Sequence, residues 1–132
     1  MVTFDEAAEM LDDIAEEFPQ AFYKNLNGGV YVLPDVKLDA ASTANQPLYI
    51  MGEYIRRHDL GRFIYIYYGS FAKVFSHLPP EAFRRELKKV LAHEFTHHLE
   101  SLAGERGLEL EDEKQMERYM QRRNRLQRHF MS

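Results

Sequence analysis

The stretch that begins at Leu78-Pro79-Pro80-Glu81 and continues to Ala103 predicts one long helix. Proline is favoured in the first turn of a helix, and the acidic Glu81 suits the positive end of the helix dipole. Gly104 follows as a good left-handed stop. The apolar residues of this stretch recur at helical spacing and define one face: Phe83, Leu87, Val90, Leu91 and Leu102. The rest of this short chain must pack against that face.

Two further helical segments lie before the first strand. Thr3 and Glu6 have the spacing of a capping box, in which each side chain satisfies the exposed backbone donor of the other residue. Apolar residues at three- and four-residue intervals then continue to Phe18, while the other faces are acidic. Pro19 is a candidate start for a short second helix through Leu26, which the breaker Asn27-Gly28-Gly29 follows.

Strand patterns occupy the middle of the chain. Val30–Leu33, Leu48–Tyr54 and Phe63–Tyr68 are predicted strands, and the last is β-branched or aromatic throughout. Asp35–Gln46 is polar and predicts a surface loop, of the length that often forms a lid or binding loop. Ser70 is a candidate cap for a short helix to about His77. A last helix is predicted from Glu111 to Phe130. Strands mixed with helices predict an α+β fold, with residues 1–132 in a single domain.

Composition excludes several classes of protein. The chain has no cysteine, which removes disulfides, thiol nucleophiles and zinc sites built on thiolates. Its net charge of −4 argues against general binding to nucleic acid or to anionic membranes. No apolar run approaches the roughly 20 residues of a membrane span, and the acidic N-terminus does not have the pattern of a signal peptide. We therefore expect a soluble, cytoplasmic protein.

The motif His93-Glu94-Phe95-Thr96-His97 within the long helix carries the chemistry. Residues four apart on a helix lie one above the other, with about 5–6 Å between Cβ atoms, so His93 and His97 can converge on one ion. Glu94 lies beside this pair, where its carboxylate can take a proton from a metal-bound water. The pattern is typical of zinc metallopeptidases. The alternative is two solvent-facing histidines on a surface helix.

A third ligand is the weakest part of this prediction, because catalytic zinc usually has three protein ligands and one open position. Glu100 lies on the same helical face, but a third ligand normally approaches from another direction. Glu105, Asp112 and Glu113 follow the Gly104 break, and each also has an ordinary interpretation as surface or helix-dipole charge. His98 points into the apolar face and is better explained as a packed histidine than as a ligand.

The chain resembles the small bacterial zincin-like metallopeptidases, a family of minimal single-domain proteins. The resemblance rests on the acidic first helix, the segment Leu48–Tyr54, the strand Ile64–Tyr67 and the motif His93-Glu94-x-x-His97-His98, whose doubled histidine is more specific than the bare motif. It implies a zincin-like fold with a metal-binding cleft along the edge of the sheet. It also implies His93 and His97 as ligands and Glu94 as general base.

The chain departs from the family pattern after the second motif histidine. The commoner form has a glycine three residues later and an acidic residue three further on, where this chain has Glu100 and Ala103. If the helix is extended by an insertion, the acidic ligand moves to Asp112, which we choose ahead of Glu113, Glu105 and Glu100. The resemblance implies a type of reaction, metal-dependent hydrolysis of an amide bond, but no particular substrate.

These observations predict Zn²⁺-dependent hydrolysis of an amide bond, with short peptides or flexible protein segments as substrates. The Phe63–Tyr68 strand is a candidate rim for an extended peptide, and Tyr65 or Tyr67 is a candidate to stabilise the oxyanion, although strand tyrosines usually serve packing. The alternative is a non-catalytic metal-binding protein of the same fold. An arginine-rich last helix that contacts phosphates is a third possibility, less favoured than pairing with the acidic first helix or simple solvation. The oligomeric state does not follow from the sequence.

Overall fold

The structure is a computed structural model, which describes residues 1–104 and Arg118. Three helices and five strands make up the described part, and the α+β class is confirmed. The helices are α1 (Phe4–Ala15), α2 (Tyr68–Phe75) and α3 (Pro80–Ala103), with a 3₁₀ turn at Gln20–Tyr23. The strands are β1 (Gly29–Leu33), β2 (Lys37–Leu38), β3 (Tyr49–Ile50), β4 (Gly52–Arg57) and β5 (Gly61–Tyr67).

The start of α1 is capped as the sequence predicts. The Thr3 hydroxyl accepts from the Glu6 N–H at 3.1 Å, and the Glu6 carboxylate accepts from the Thr3 N–H at 2.9 Å. The predicted helix after Pro19 is only the single 3₁₀ turn. Its aromatic residues pack onto α3, so this short segment connects α1 to the central helix.

A three-stranded sheet in the order β1-β5-β4 forms the second layer. β1 runs parallel to β5, with Val30 opposite Ile64, and β4 runs antiparallel to it, with Tyr54 opposite the same Ile64. The predicted strand at Phe63–Tyr68 is therefore the central strand, and Tyr68 begins α2 instead. The expectation that this strand forms a substrate rim is wrong, because both of its backbone edges are hydrogen-bonded to neighbouring strands.

The segment between β1 and β4 differs from its prediction in two places. Within the predicted loop, Lys37–Leu38 forms a strand that pairs antiparallel with Tyr49–Ile50. The predicted strand Leu48–Tyr54 is interrupted at Met51, because the residues before Met51 pair with β2 and those after it pair with β5. Met51 is buried at this change of partner, and its carbonyl accepts from the Tyr67 N–H at 2.8 Å.

Ser70 does not cap α2, which begins two residues earlier at Tyr68. Its hydroxyl instead accepts from the Lys37 N–H at 3.0 Å and donates to the Lys37 carbonyl at 3.2 Å. The prediction of a serine cap is wrong because Ser70 is fully buried against β2, where the Lys37 backbone groups need partners.

The helix α3 lies across the sheet and closes the core. It has the predicted bounds, and all five residues of its predicted apolar face are buried. Its contacts are with β4, β5, α1 and the 3₁₀ turn. The approach to β4 is close: a Cβ atom on Gly52 would lie 3.0 Å from Val90 Cγ1. Gly104 ends the helix at φ −72°, so the predicted left-handed stop is wrong and this position makes no demand for glycine.

The predicted last helix, Glu111–Phe130, lies outside the described residues apart from Arg118, which is exposed and helical. Among the described residues, no helix combines the length and the apolar character needed to cross a lipid bilayer.

Candidate metal and active site

The motif lies in the most enclosed part of α3. Glu94, Phe95 and His98 have no exposed surface, Thr96 is buried, and His93 is 9% exposed. Phe95 accounts for one side of this enclosure, since its ring packs 5.0 Å from Phe18 and 5.0 Å from Tyr23 between ring centroids. The sheet, through β4, covers another side. The motif therefore belongs to the core, and the interpretation as two solvent-facing histidines is wrong.

The two motif histidines meet as their spacing predicts. The ring centroids of His93 and His97 are 4.9 Å apart, and the two ring planes are perpendicular. His97 is more exposed than His93, so the pair lies at the boundary between the core and the surface. Two imidazoles in this arrangement can supply two of the nitrogen ligands that zinc prefers.

A groove of about 600 Å³ runs beside this pair, between α3 and β4. This volume lies within the range of about 300–1,000 Å³ that is usual for ligand sites. Glu94 and His97 line the same groove, although the Glu94 side chain is fully buried. Its described lining residues are Glu53, Tyr54, Arg56, Glu94, His97, Glu100 and Ser101.

The wall formed by β4 is the part of the site that the sequence analysis missed. Glu53, Tyr54 and Arg56 all come from this strand. The available signal was a charged residue, Glu53, within an otherwise apolar strand pattern. Recognising it as a site residue requires the sheet order, which places β4 and not β5 at the edge beside α3.

The Glu53 side chain, unlike that of Tyr54, lies on the face of β4 away from α3, where it is held in a small polar cluster. Its Oε1 atom accepts from the Tyr67 hydroxyl at 2.5 Å and lies 3.2 Å from the Lys37 ammonium. Burial, and then the neighbouring Glu53 carboxylate, raise the pKa of Tyr67 well above its usual range. Because the Tyr67 hydroxyl donates its hydrogen bond to Glu53, it is not available to stabilise an oxyanion.

Tyr65 is also not placed to stabilise an oxyanion. It lies on the central strand, where its ring packs against Phe63, with 5.0 Å between centroids, and against Tyr31 and Tyr67. Neither Tyr65 nor Tyr67 is among the described residues that line the groove. The structure therefore contradicts this part of the prediction, and the tyrosine of the groove wall is Tyr54.

His98 is a packed histidine, as predicted. Its Nε2 atom lies 2.8 Å from the Lys24 carbonyl oxygen, and its Nδ1 atom lies 2.9 Å from the Tyr54 hydroxyl. Because a carbonyl can only accept, Nε2 carries the proton and Nδ1 accepts from Tyr54. Burial lowers the pKa of His98, and the bond to Lys24 only partly opposes this effect. His98 is thus unsuited to bind metal.

The described residues supply two of the three expected ligands. Glu100 is exposed and lines the groove. The other candidates, Glu105, Asp112 and Glu113, lie outside the described residues. Within the part of the chain that the structure describes, no group of three histidine, aspartate or glutamate side chains is arranged to hold a metal ion. The donor set that is present, two adjacent imidazoles beside a carboxylate, fits zinc in type.

The fold and the site together define a small α+β protein whose long helix presents an HExxH motif to a groove at the edge of a sheet. A conserved hypothetical protein from Thermo thermophilus has a similar solved structure, with a TM-score of 0.64 and 35% sequence identity. The alignment covers 77% of this chain and 98% of that chain, and the chain belongs to the family of this protein. No family model and no curated protein matches the sequence.

Proposed function

We propose that the protein is a zinc-dependent peptidase of the zincin-like class. The observation that carries the proposal is that Glu94 and His97 line one groove while the ring of His93 contacts that of His97. A general base, a ligand pair and a space for substrate are thus adjacent. Each of these three parts is required for metal-assisted hydrolysis of an amide.

In this proposal His93 and His97 hold the zinc ion through their ring nitrogens, and Asp112 stays the predicted third ligand. Zinc, when bound, polarises a carbonyl and makes a water acidic near neutral pH. Glu94 takes the proton of the attacking water on its carboxylate and passes it to the leaving amine. Its burial in α3 limits the movement of the carboxylate.

The strand β4 takes the role that the sequence analysis gave to β5. Among the described strands, β4 pairs only with β5, so its outer backbone edge has no partner among these strands. An extended peptide can add to such an edge through main-chain hydrogen bonds. This favours short or flexible peptide segments as substrates over folded proteins.

The decisive experiment replaces the proposed base while keeping the ligands. Glu94→Gln should retain zinc and lose hydrolysis of a broad peptide library by about 10²–10⁴-fold, the usual contribution of a general base. The matched control is Glu100→Gln, an exposed carboxylate in the same groove, which should keep most activity. Full activity in Glu94→Gln would show that Glu94 is not the base.

The second candidate is a non-catalytic metal-binding protein that retains this fold. It is favoured because the described residues contain no group of three side chains that could hold a metal ion. The two functions separate in one measurement with zinc-loaded protein. Complete absence of peptide cleavage at high protein concentration, together with tight zinc binding that His97→Ala abolishes, supports the second candidate and excludes the first.

A further inference from the structure

The face of the three-stranded sheet opposite to α3 carries a row of three side chains. Tyr31 of β1 lies opposite Tyr65 of β5, and Glu53 of β4 lies opposite the same Tyr65. Paired residues project to the same side of a sheet, and this side faces away from α3, because Ile64 and Ile66, which alternate with Tyr65, are fully buried. Two strand spacings separate the ends of the row by about 10 Å.

This row is open to solvent. Tyr31 is 53% exposed, Tyr65 is partly exposed, and the Glu53 side chain is 29% exposed. The rings of Tyr31 and Tyr65 meet edge to face, with 6.3 Å between their centroids. Polar residues are expected on the water-facing side of a sheet, so two adjacent tyrosines there are unusual. They form an aromatic shelf that ends at a carboxylate.

The side chain of Lys37 already lies at the acidic end of the shelf. Its Nζ atom is 3.2 Å from the Glu53 Oε1 atom and 5.8 Å from the centre of the Tyr67 ring. The combination of a carboxylate with an aromatic face therefore accepts an alkylammonium group. The Lys37 side chain is 46% exposed, and exposed ion pairs contribute little to stability. Because Ser70 binds the Lys37 backbone separately, this side chain can move away while β2 stays in place.

The charges around Tyr67 favour a cation at this end. Burial is the main cause that raises the pKa of Tyr67, and the carboxylates of Glu53 and Asp35 raise it further. The Tyr67 hydroxyl stays neutral and donates to Glu53. Among the described residues, two carboxyl groups therefore lie near this ring together with one ammonium group, that of Lys37. The local excess of negative charge attracts a further cation.

We propose that the row binds the side chain of a lysine on another polypeptide, whose ammonium group replaces that of Lys37 at Glu53. The lysine stem reaches slightly farther than one strand spacing of about 4.8 Å, so it lies along the Tyr65 ring and its main chain lies near Tyr31. An open shelf does not enclose a small amine, so the remaining contacts come from the polypeptide around the lysine. The row lies on the other face of the sheet from the HExxH motif, and its occupation requires neither metal nor hydrolysis.

The test measures binding by NMR titration of the full chain carrying Glu94→Gln, so that no peptide is cleaved. The probes are three pools of capped pentapeptides with random flanks and a central lysine, acetyl-lysine or norleucine. The lysine pool should bind about tenfold more tightly than the other two, because only lysine carries the charge. Its binding should shift the ring signals of Tyr31 and Tyr65. Butylammonium alone should bind about tenfold more weakly than the lysine pool.

Three variants separate recognition from a structural role. Glu53→Gln keeps an acceptor for Tyr67 but removes the charge, so the preference for lysine over acetyl-lysine should disappear. Lys37→Met removes the competing cation and should tighten binding of the lysine pool about threefold. Tyr31→Leu, at an exposed position, should weaken that binding about threefold. The matched control is Glu81→Gln, an exposed carboxylate at the start of α3, which should bind all probes as the parent does.

Equal binding of the lysine and acetyl-lysine pools overturns the inference. Unchanged or weaker binding in Lys37→Met also overturns it, because the Lys37 ammonium then does not compete for the site. If butylammonium binds as tightly as the lysine pool, the ligand is a small amine and the assignment to a polypeptide is wrong. None of these measurements involves cleavage, so each of these outcomes leaves the peptidase proposal intact.

Discussion

The Nδ1 atom of His98 lies 2.9 Å from the Tyr54 hydroxyl, and this contact joins the motif helix to the groove wall. On its other side His98 is bound to the Lys24 carbonyl, so a single imidazole spans α3, β4 and the segment before β1. The ring of Tyr54 lies 5.3 Å from that of His98 between centroids. The doubled histidine of the motif thus combines one residue of the proposed metal site, His97, with one that fixes the helix in place, His98.

Removing the Tyr54 hydroxyl should destabilise the protein without changing its fold. Tyr54→Phe retains the ring contact but leaves the buried Nδ1 atom of His98 without its donor. Such a loss costs about 1–3 kcal/mol, and urea unfolding should show it as a lower midpoint with an unchanged slope. The control is Tyr31→Phe on the exposed face of β1, which should change the free energy of unfolding by less than about 0.5 kcal/mol.

Stability should fall as the pH is lowered below about 6.5, and His98 should contribute to the fall. Burial lowers its pKa below the usual 6.5, so the unfolded chain takes up a proton there that the folded protein does not. The contribution is fully present above pH 6.5 and is lost as pH falls towards the pKa of the folded state. Its slope approaches at most about 1.4 kcal/mol per pH unit.

The measurement is urea unfolding at several pH values, with a chelator present so that metal does not compete with protons. His98→Gln should flatten the pH dependence. His58→Gln changes an exposed histidine in the turn after β4 and should leave the slope as it is. An unchanged slope in His98→Gln would contradict the assignment.

The close contact between β4 and α3 predicts a marked difference between two glycines. Gly52→Ala would place a Cβ atom 3.0 Å from Val90 Cγ1 and 3.1 Å from the Tyr65 carbonyl oxygen, so these neighbours have to yield by a few tenths of an ångström. Overpacking of this kind costs about 1–3 kcal/mol. Among the described residues, Gly104→Ala meets nothing closer than 3.5 Å, at a φ of −72°, and should stabilise the protein by about 0.4–1 kcal/mol. Thermal unfolding of both variants checks the prediction.

Zinc titration should identify the ligands one by one. His93→Ala and His97→Ala should each weaken binding by several orders of magnitude, because each removes a nitrogen ligand of the proposed site. Asp112→Asn should weaken it as well, while Glu100→Gln should have little effect. Calorimetric titration of the metal-free protein measures all four. If Asp112→Asn binds zinc with wild-type affinity, Asp112 is not the third ligand, and Glu113, Glu105 or Glu100 becomes the candidate.

Local rules were sufficient where one segment determines its own structure. The capping box at Thr3 and Glu6 predicts the start of α1, and the apolar repeat from Phe83 to Leu102 predicts the buried face of α3. The meeting of His93 and His97 follows from helical spacing alone. In each case the residues belong to one helix and its spacing alone relates them, so no knowledge of tertiary structure is needed.

The groove wall could not be predicted in this way, because it depends on contacts between distant segments. Phe63–Tyr67 has the strongest strand pattern, and the sequence analysis placed the substrate beside it. Two-sided pairing makes it central and leaves the edge to β4. Ser70 shows the same limit on a smaller scale: its partner is the backbone of Lys37, thirty-three positions earlier. Neither relationship leaves a signal in the local sequence.

The order of the elements has a consequence for biosynthesis. The sheet is complete at Tyr67, yet α3, which covers its inner side through Leu87, Val90 and Leu91, ends only at Ala103. At about 5–20 residues per second, translation of the 36 residues from Tyr68 to Ala103 takes roughly 2–7 s. During that interval Ile64 and Ile66 of the nascent chain have no helix to cover them. A pause after the sheet has left the ribosome and before α3 has done so should therefore increase aggregation or chaperone dependence, whereas a pause before β4 has been made should not.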